Sequence, residues 1–316
     1  MDVIAIGETL VSLTAEPKGF MRHAKQFIPS VAGAETNTLI GLSRLGHHTG
    51  WISKLGADEL GKMILSTVQG EGVDTSQVRF SETNPTGIFF KEMVHESDVS
   101  ISYYRQDSAA SQLTASDLSE VYLTQAQYLY ITGITPALSE SCRELVFYAI
   151  DAAKKNGVTV VFDPNVRRKL WDDMKAKKTL LDIAKRVDII IPGINEASFL
   201  LDNDDPKQVA KAFLKMGISL VVIKLGAKGA YYATASEADF VPAFHVTNVV
   251  DPVGAGDGFA AGLLSGLLEQ KSLKEAVTKA CAVGAMVTMV NGDFEGLPDA
   301  SMLDRFMTRQ YDDVHR

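Results

Sequence analysis

Asp251-Pro252-Val253-Gly254-Ala255-Gly256-Asp257-Gly258 runs straight into the apolar segment 259–268. Small residues turning into an apolar-periodic run predict a loop feeding a helix that opens near Gly258. The amides of Ala255, Gly256 and Asp257 then stand unpaired at a helix N-terminus. Successive unpaired amides with little side-chain bulk form a nest for an anion, and the helix dipole adds about half a positive charge there. Inside that nest the Asp257 carboxylate is expected to stay ionised at neutral pH, placed to accept a proton from a hydroxyl attacking a phosphate. An ordinary helix start with an Asp cap is the plainer alternative; the second acid, Asp251, six residues earlier, weighs against it. A dinucleotide-binding reading is weaker, because that fingerprint follows a first strand and the opening strand here leads into Gly7-Glu8-Thr9. No Gly-x-x-x-x-Gly-Lys-Ser/Thr occurs, which removes the P-loop.

Working outward, short runs rich in β-branched residues alternate with amphipathic patterns. Residues 3–6, 128–132, 158–162, 187–191 and 220–224 read as buried strands, and 35–45, 59–69, 139–155 and 207–215 as helices. This alternation implies an α/β fold with a largely parallel sheet covered on both faces. The last third breaks the rhythm: 230–233 and 239–246 read as antiparallel edge strands, and helices over 258–270 and 273–290 as a cap on one end of the sheet. Segments 20–28, 87–95 and 99–105 look instead like half-exposed antiparallel strands. They predict a small separate sheet forming a lid over a cleft, with a decorative hairpin as the alternative. The expected division is a core of 1–8, 32–85 and 107–316 and a β lid of 9–31 and 86–106.

With 316 residues, 46% of them hydrophobic and 22% charged, the chain has material for a large core and an appendage. A net charge of −8 argues against a nucleic-acid or anionic-membrane binder, so an anionic substrate must be met by specific arginines. Cys142 and Cys281 lie far apart in apolar helical patterns, which supports neither a disulfide framework nor a zinc site. Without a basic leader or an apolar run of membrane-spanning length, a reducing cytoplasm is the expected compartment.

Three further clusters bear on chemistry. Ala32-Gly33-Ala34-Glu35-Thr36-Asn37 opens a helix where backbone groups and the Asn37 amide can hold hydroxyls; alone it is merely a good helix start. Asp163-Pro164-Asn165-Val166-Arg167-Arg168-Lys169 follows a strand, and carboxyl ends of strands line the ligand crevice of an open α/β sheet. Lys224-Leu225-Gly226-Ala227-Lys228-Gly229 sits at another strand end, where a hairpin turn is the plainer reading. On the segment Ile101-Ser102-Tyr103-Tyr104-Arg105, strand alternation puts Tyr103 and Arg105 on one face and Tyr104 on the other. An Arg fork beside a phenol suits a carboxylate-bearing sugar, with Arg167 adding a second positive charge; sheet packing by the two tyrosines with Arg105 as a solvated edge residue is the plainer alternative.

In this order the segments resemble the ribokinase/PfkB family of carbohydrate and nucleoside kinases over essentially the whole chain, with signatures at 33–56 and 251–264. The resemblance implies a ribokinase-like three-layer sandwich with a mostly parallel central sheet and a β-sheet lid. It makes Gly254, Ala255, Gly256 and Asp257 the anion hole and base of an ATP-dependent kinase. Lys224, Leu225, Gly226 and Gly229 become the ATP-binding loop, together with Asn165 and Arg167, and adenine is expected between that loop and 282–289. Many members place Mg²⁺ through Asn-x-x-Glu; here Glu196 matches the glutamate while Gly193 stands at the Asn position. In some relatives a monovalent cation such as K⁺ assists near the residue matching Asp251.

Tyr103-Tyr104-Arg105 followed by Ser108-Ala109-Ala110-Ser111 is similar to the family's 2-keto-3-deoxygluconate kinases, which implies phosphorylation of a keto-acid sugar at its C6 hydroxyl. Tyr103, Tyr104, Arg105 and Arg167 would then hold the acid end, Gly33, Ala34, Glu35 and Asn37 the hydroxyls, and Asp293 would complete the pocket, with a turn-forming loop Asp as the alternative there. The alternatives are a fructokinase or other neutral-sugar kinase of this fold, and a catalytically silent sugar-binding protein. An exposed β lid could also pair with a second lid, making a homo-oligomer.

Overall fold

The computed structural model describes residues 1–95 and 98–314. In chain order the strands are β1 (Val3–Ile6), β2 (Leu10–Glu16), β3 (Gln26–Ala32), β4 (Thr49–Gly56), β5 (Asp74–Ser81), β6 (Ile88–His95), β7 (Asp98–Tyr104), β8 (Tyr128–Thr132), β9 (Thr159–Asp163), β10 (Ile189–Ile190), β11 (Leu220–Lys224), β12 (Ala230–Ala233) and β13 (Ala238–Val241). The helices are α1 (Ala34–Arg44), α2 (Glu59–Gly70), α3 (Glu120–Leu123), α4 (Thr135–Leu138), α5 (Glu140–Lys155), α6 (Asp173–Ala184), α7 (Ile194–Leu201), α8 (Pro206–Lys215), α9 (Ala255–Leu268), α10 (Leu273–Val287) and α11 (Ala300–Val314). Among the described residues no helix is long and apolar enough to cross a membrane.

The main sheet runs β13-β12-β11-β10-β9-β8-β1-β4-β5, parallel throughout except for its last two strands at the β13 edge. Strand alternation divides its side chains between two cores. Val3, Ala5, Trp51, Tyr130 and Val222 pack under α1, α2, α9 and α10, while Ile4, Ile6, Leu129, Phe162 and Val221 pack under α5, α6, α7 and α8. The consecutive helices α9 and α10 therefore belong to one face of the sheet and do not cap its end, because their apolar residues are shared with α1 and the central strands.

Small residues fix α9 in that layer. A Cβ on Gly262 or Gly266 would lie 2.8 or 2.6 Å from the Ala280 or Ala276 Cα of α10, and one on Gly41 would lie 2.8 Å from Ala261 Cβ. Helices this close cannot admit side chains between their backbones, so the N-terminus of α9 is held by α1 on one side and α10 on the other.

A second sheet, ordered β3-β2-β6-β7, draws its strands from the two early excursions. It is not wholly antiparallel, because β2 and β6 come from separate excursions and pair in parallel at its centre. Its first excursion also differs from expectation: 21–23 is a single 3-10 turn, and the strands flank it as β2 and β3. Two strands are shorter than their apolar runs. Pro192 follows β10 and Pro242 follows β13, and a proline has no N–H to continue a ladder.

Candidate active site

Between the two sheets lies a cleft of about 460 Å³. Glu8, Ile134, Asn165, Glu196 and Lys224 reach it from the carboxyl ends of parallel strands or just beyond, as an open α/β sheet requires. The helix N-termini of α1 and α9 form its floor, and β6 and β7 form its roof.

On the floor, α9 begins at Ala255, one turn earlier than the sequence suggests. Gly254 caps it with φ 79°, and a Cβ there would collide with the Asp293 carbonyl oxygen at 2.1 Å. Only glycine fits both the left-handed backbone and that contact. Ala255 N makes a long bond to Pro252 O at 3.4 Å. Asp257 sits in the first turn with Oδ2 accepting from Asn37 Nδ2 at 2.8 Å, while Thr38 Oγ1 donates to the Asp257 carbonyl at 3.3 Å. Asn37 Oδ1 is buried with no partner among the described residues, and Asn37 lines the cleft.

Contrary to the expectation of a fully ionised carboxylate, burial pushes Asp257 up to about 7. Desolvation outweighs the Asn37 hydrogen bond and the Arg167 and Lys224 charges, and Asp163 adds repulsion. An acid poised near neutrality is well matched to proton transfer at that pH.

Lys224 stands over this turn: its Nζ lies 2.6 Å from Asp163 Oδ2 and 3.6 Å from where a Gly256 Cβ would be. Although burial opposes its charge, Asp163, Glu196 and Asp257 together hold the ammonium protonated. Glu196 lines the cleft with Oε1 accepting from Val166 N at 2.8 Å and Oε2 from Gly193 N at 2.7 Å. Its carboxylate therefore caps α7 and ties that helix to the segment after β9, while lone pairs remain on both oxygens.

On the roof, Tyr103 lines the cleft and Tyr104 does not; it is 62% exposed on the outer face, stacked edge-on against Phe90. Arg105 is buried and already paired. Its Nε donates to Glu8 Oε2 at 2.7 Å, Nη2 closes on the same oxygen, and Ser108 donates to Glu8 Oε1. The guanidinium is thus not the free fork expected, although Nη1 has no partner among the described residues. Arg167 is exposed at the rim with no carboxylate in ion-pair range among the described residues, and its charge is felt by Asp257 and Asp293. Asp293 does reach the cleft, pushed up to about 6 by burial against the opposing Lys91 charge.

Gly33, Ala34 and Gly256 complete the lining. Glu35 does not: its carboxylate turns into the core, where Oε1 accepts from Thr132 and Thr135 hydroxyls at 2.7 and 2.9 Å. Ala255, Leu225, Gly226 and Gly229 also lie outside the lining. Gly229 is required by packing, since a Cβ there would strike the Val241 carbonyl at 2.0 Å. Sequence reasoning missed Glu8 and Lys91, and it singled out Ser108 only as part of a motif, without its contact to Glu8. Lys91 lines the roof and closes on Asp251 Oδ2 at 2.6 Å, at the carboxylate for which the resemblance left a monovalent cation open. The one signal was a lysine between Phe89 and Met93 on a buried strand face.

Comparison with known proteins agrees with this geometry. Residues 1–300 match the pfkB family of carbohydrate kinases. The chain is 41% identical to the 2-dehydro-3-deoxygluconokinase of Bacillus subtilis (strain 168) over 98% of this chain and 96% of that protein. A PfkB protein from Polaromonas sp. JS666 superposes with a TM-score of 0.88 at 38% identity, covering 96% of this chain and 99% of that one. The fructokinase of Vibrio cholerae O395, solved with fructose, ADP and calcium, superposes with a TM-score of 0.86 at 27% identity, covering 97% and 99%. A match spanning nearly the whole chain, on a fold whose two helix N-termini and buried acid face one cleft, means that this chain belongs to the pfkB family of carbohydrate kinases.

Proposed function

We propose that the chain transfers the γ-phosphoryl group of ATP to the C6 hydroxyl of 2-keto-3-deoxy-D-gluconate. The observation that carries this reading is Asp257 in the first turn of α9, hydrogen-bonded to Asn37 and faced by Lys224. Asn37 Oδ1 orients the sugar, and Asp257 takes the C6 proton as the oxygen bonds to phosphorus and the bridging bond to ADP breaks. The turn at Gly254–Asp257 and the Lys224 ammonium neutralise charge on the transferring group, where positioning and electrostatics supply most of the acceleration. The nucleotide lies along the carboxyl edge of the sheet, from Asn165 and Arg167 past Lys224 toward Leu225, Gly226, Gly229 and α10.

Among the described residues no cluster of three or more acidic, His or Cys side chains is built to cage a metal. That fits Mg²⁺, which is bound by few carboxylates and mainly by substrate phosphates. Glu196 would be the carboxylate that helps hold it, and when bound the ion neutralises phosphate oxygens.

Arg105, Arg167 and Tyr103 receive the keto-acid end. Because Glu8 already balances Arg105, recognition of the carboxylate leans on Arg167, and fructose is the informative competitor. Turnover of the keto acid and of fructose, each with ATP and Mg²⁺, tests the reading. A strong keto-acid preference is expected, and a fructose preference overturns it. The outer lid face, where the exposed rings of Phe27 and Tyr104 both pack edge-on against Phe90, joins a second copy of the chain.

A further inference from the structure

Lys91 sits at the centre of the lid sheet, in register with Thr14 of β2 and Ile101 of β7. Its stem shares a buried face with Phe89 and Met93, and its ammonium leaves the lid to meet Asp251 Oδ2 at 2.6 Å. Both partners are buried, Asp251 to 1% exposure. The other Asp251 oxygen accepts from Val253 N at 3.1 Å, and Asp251 N donates to Thr288 O at 3.3 Å. This carboxylate therefore sets the path of the chain into Gly254, and neither of its oxygens is left bare.

Among the other polar contacts between lid and core, Ser30 Oγ with Glu295 Oε1 at 2.8 Å and Lys169 Nζ with the Ile101 carbonyl at 3.1 Å are exposed, whereas Arg105 with Glu8, just past β7, is buried. The Lys91–Asp251 pair shares that burial, so withdrawing one partner strands a charge away from water. It would strand Asp251 in a corner shared with Asp293, which feels the Asp251 charge as repulsion and the Lys91 charge as relief.

We propose that Lys91 is a positioning residue for phosphoryl transfer: its ammonium, carried by the lid, is the cation that holds Asp251 and the turn into Gly254. The turn is thus fully set only when the lid is seated, and no free monovalent cation is needed at Asp251. The catalytic part rests on the kinase reading above; the structural part does not.

Two measurements separate them. Hydrogen exchange of residues 251–257 and the melting temperature are followed without substrate, in KCl and in tetramethylammonium chloride at equal ionic strength, for wild type and Lys91→Met. Wild type is expected to be indifferent to the salt, and Lys91→Met to exchange about tenfold faster through this segment. In turnover, wild type should differ by less than about twofold between the salts, while Lys91→Met loses about ten- to a hundredfold in kcat with both KM values little changed. If Lys91→Met does not fold, Lys91→Met/Asp251→Asn, which leaves no orphan charge, replaces it and should show the same fast exchange. Wild-type exchange in the variant, or a wild type that requires K⁺ for stability or turnover, overturns the proposal. Fast exchange in a protein inactive on the keto acid would sustain the latch and discard the keto-acid reading.

Discussion

On the floor of the cleft the polar groups are held chiefly by helix ends and by the edge of the main sheet: Asp257 by the first turn of α9 and by Asn37 of α1, Glu196 by two amides, Lys224 by Asp163 at the end of β9. On the roof they are held by side-chain ion pairs across long sequence distances, Arg105 with Glu8 and Lys91 with Asp251. A floor tied to helix ends can tolerate little movement, which suits phosphoryl transfer. A roof made of paired charges can admit or refuse a substrate according to its own charge. The floor should therefore control kcat, and the roof should control which sugar is accepted.

The sharpest way to break this contrast is Asp257→Asn. Loss of the base should lower kcat about a thousandfold with sugar affinity nearly kept, and retention of a tenth of wild-type activity would discard the role. The same variant should alter stability in the opposite direction. Folded Asp257 holds its proton up to about pH 7, whereas the unfolded side chain releases it near its ordinary 3.8. The folded state thus binds more protons between those values, its advantage is complete below about 4, and it is lost as pH rises through 7. Asn carries no such titration, so Asp257→Asn should be more stable than wild type at pH 8, by about 1–4 kcal/mol in chemical denaturation. In wild type the same group should make kcat/KM rise through about pH 7, and a profile flat from 6 to 8 would assign the base elsewhere.

The sequence made the floor legible and left the roof half hidden. Gly254 to Asp257 announces itself because a turn, a dipole and a carboxylate all lie within a few residues. The pair Lys91–Asp251 spans 160 positions, and no local pattern links its members. β5 was missed for a related reason: Asp74–Ser81 is polar, half exposed and paired only along β4, so it lacks the apolar run that marks interior strands. Glu35 misled in the other direction, since an acid in the first turn of a helix reads as solvent- or ligand-facing. Here Thr132 and Thr135 draw it into the core.

Within the roof, the two arginines should separate. Arg105→Ala removes a guanidinium and leaves Glu8, 3% exposed, without its partner, so both keto-acid affinity and thermal stability should fall. Arg167→Ala removes an exposed cation that has no ion-pair partner among the described residues and should weaken the keto acid by about 1.5–3 kcal/mol, with the melting temperature unchanged. Equal losses for fructose in Arg167→Ala, measured as KM, would show that the rim does not read the carboxylate.

The smallest kinetic effect is expected where the roof turns outward. Tyr103 lines the cleft against Phe89, with ring centroids 5.7 Å apart, and lies beneath Arg105 at 5.3 Å; Tyr103→Ala should raise the sugar KM about tenfold. Tyr104, its neighbour on the opposite face, should tolerate Ala with less than about twofold change in kcat or KM, because strand alternation points it away from the substrate. If the outer lid face carries a second copy, Tyr104→Ala together with Phe27→Asp should instead lower the molar mass measured by light scattering toward that of one chain. A large kinetic defect in Tyr104→Ala with the mass unchanged would mean that the outer face reaches the reaction by some route other than assembly, and the division of the lid into a substrate side and a partner side would have to be given up.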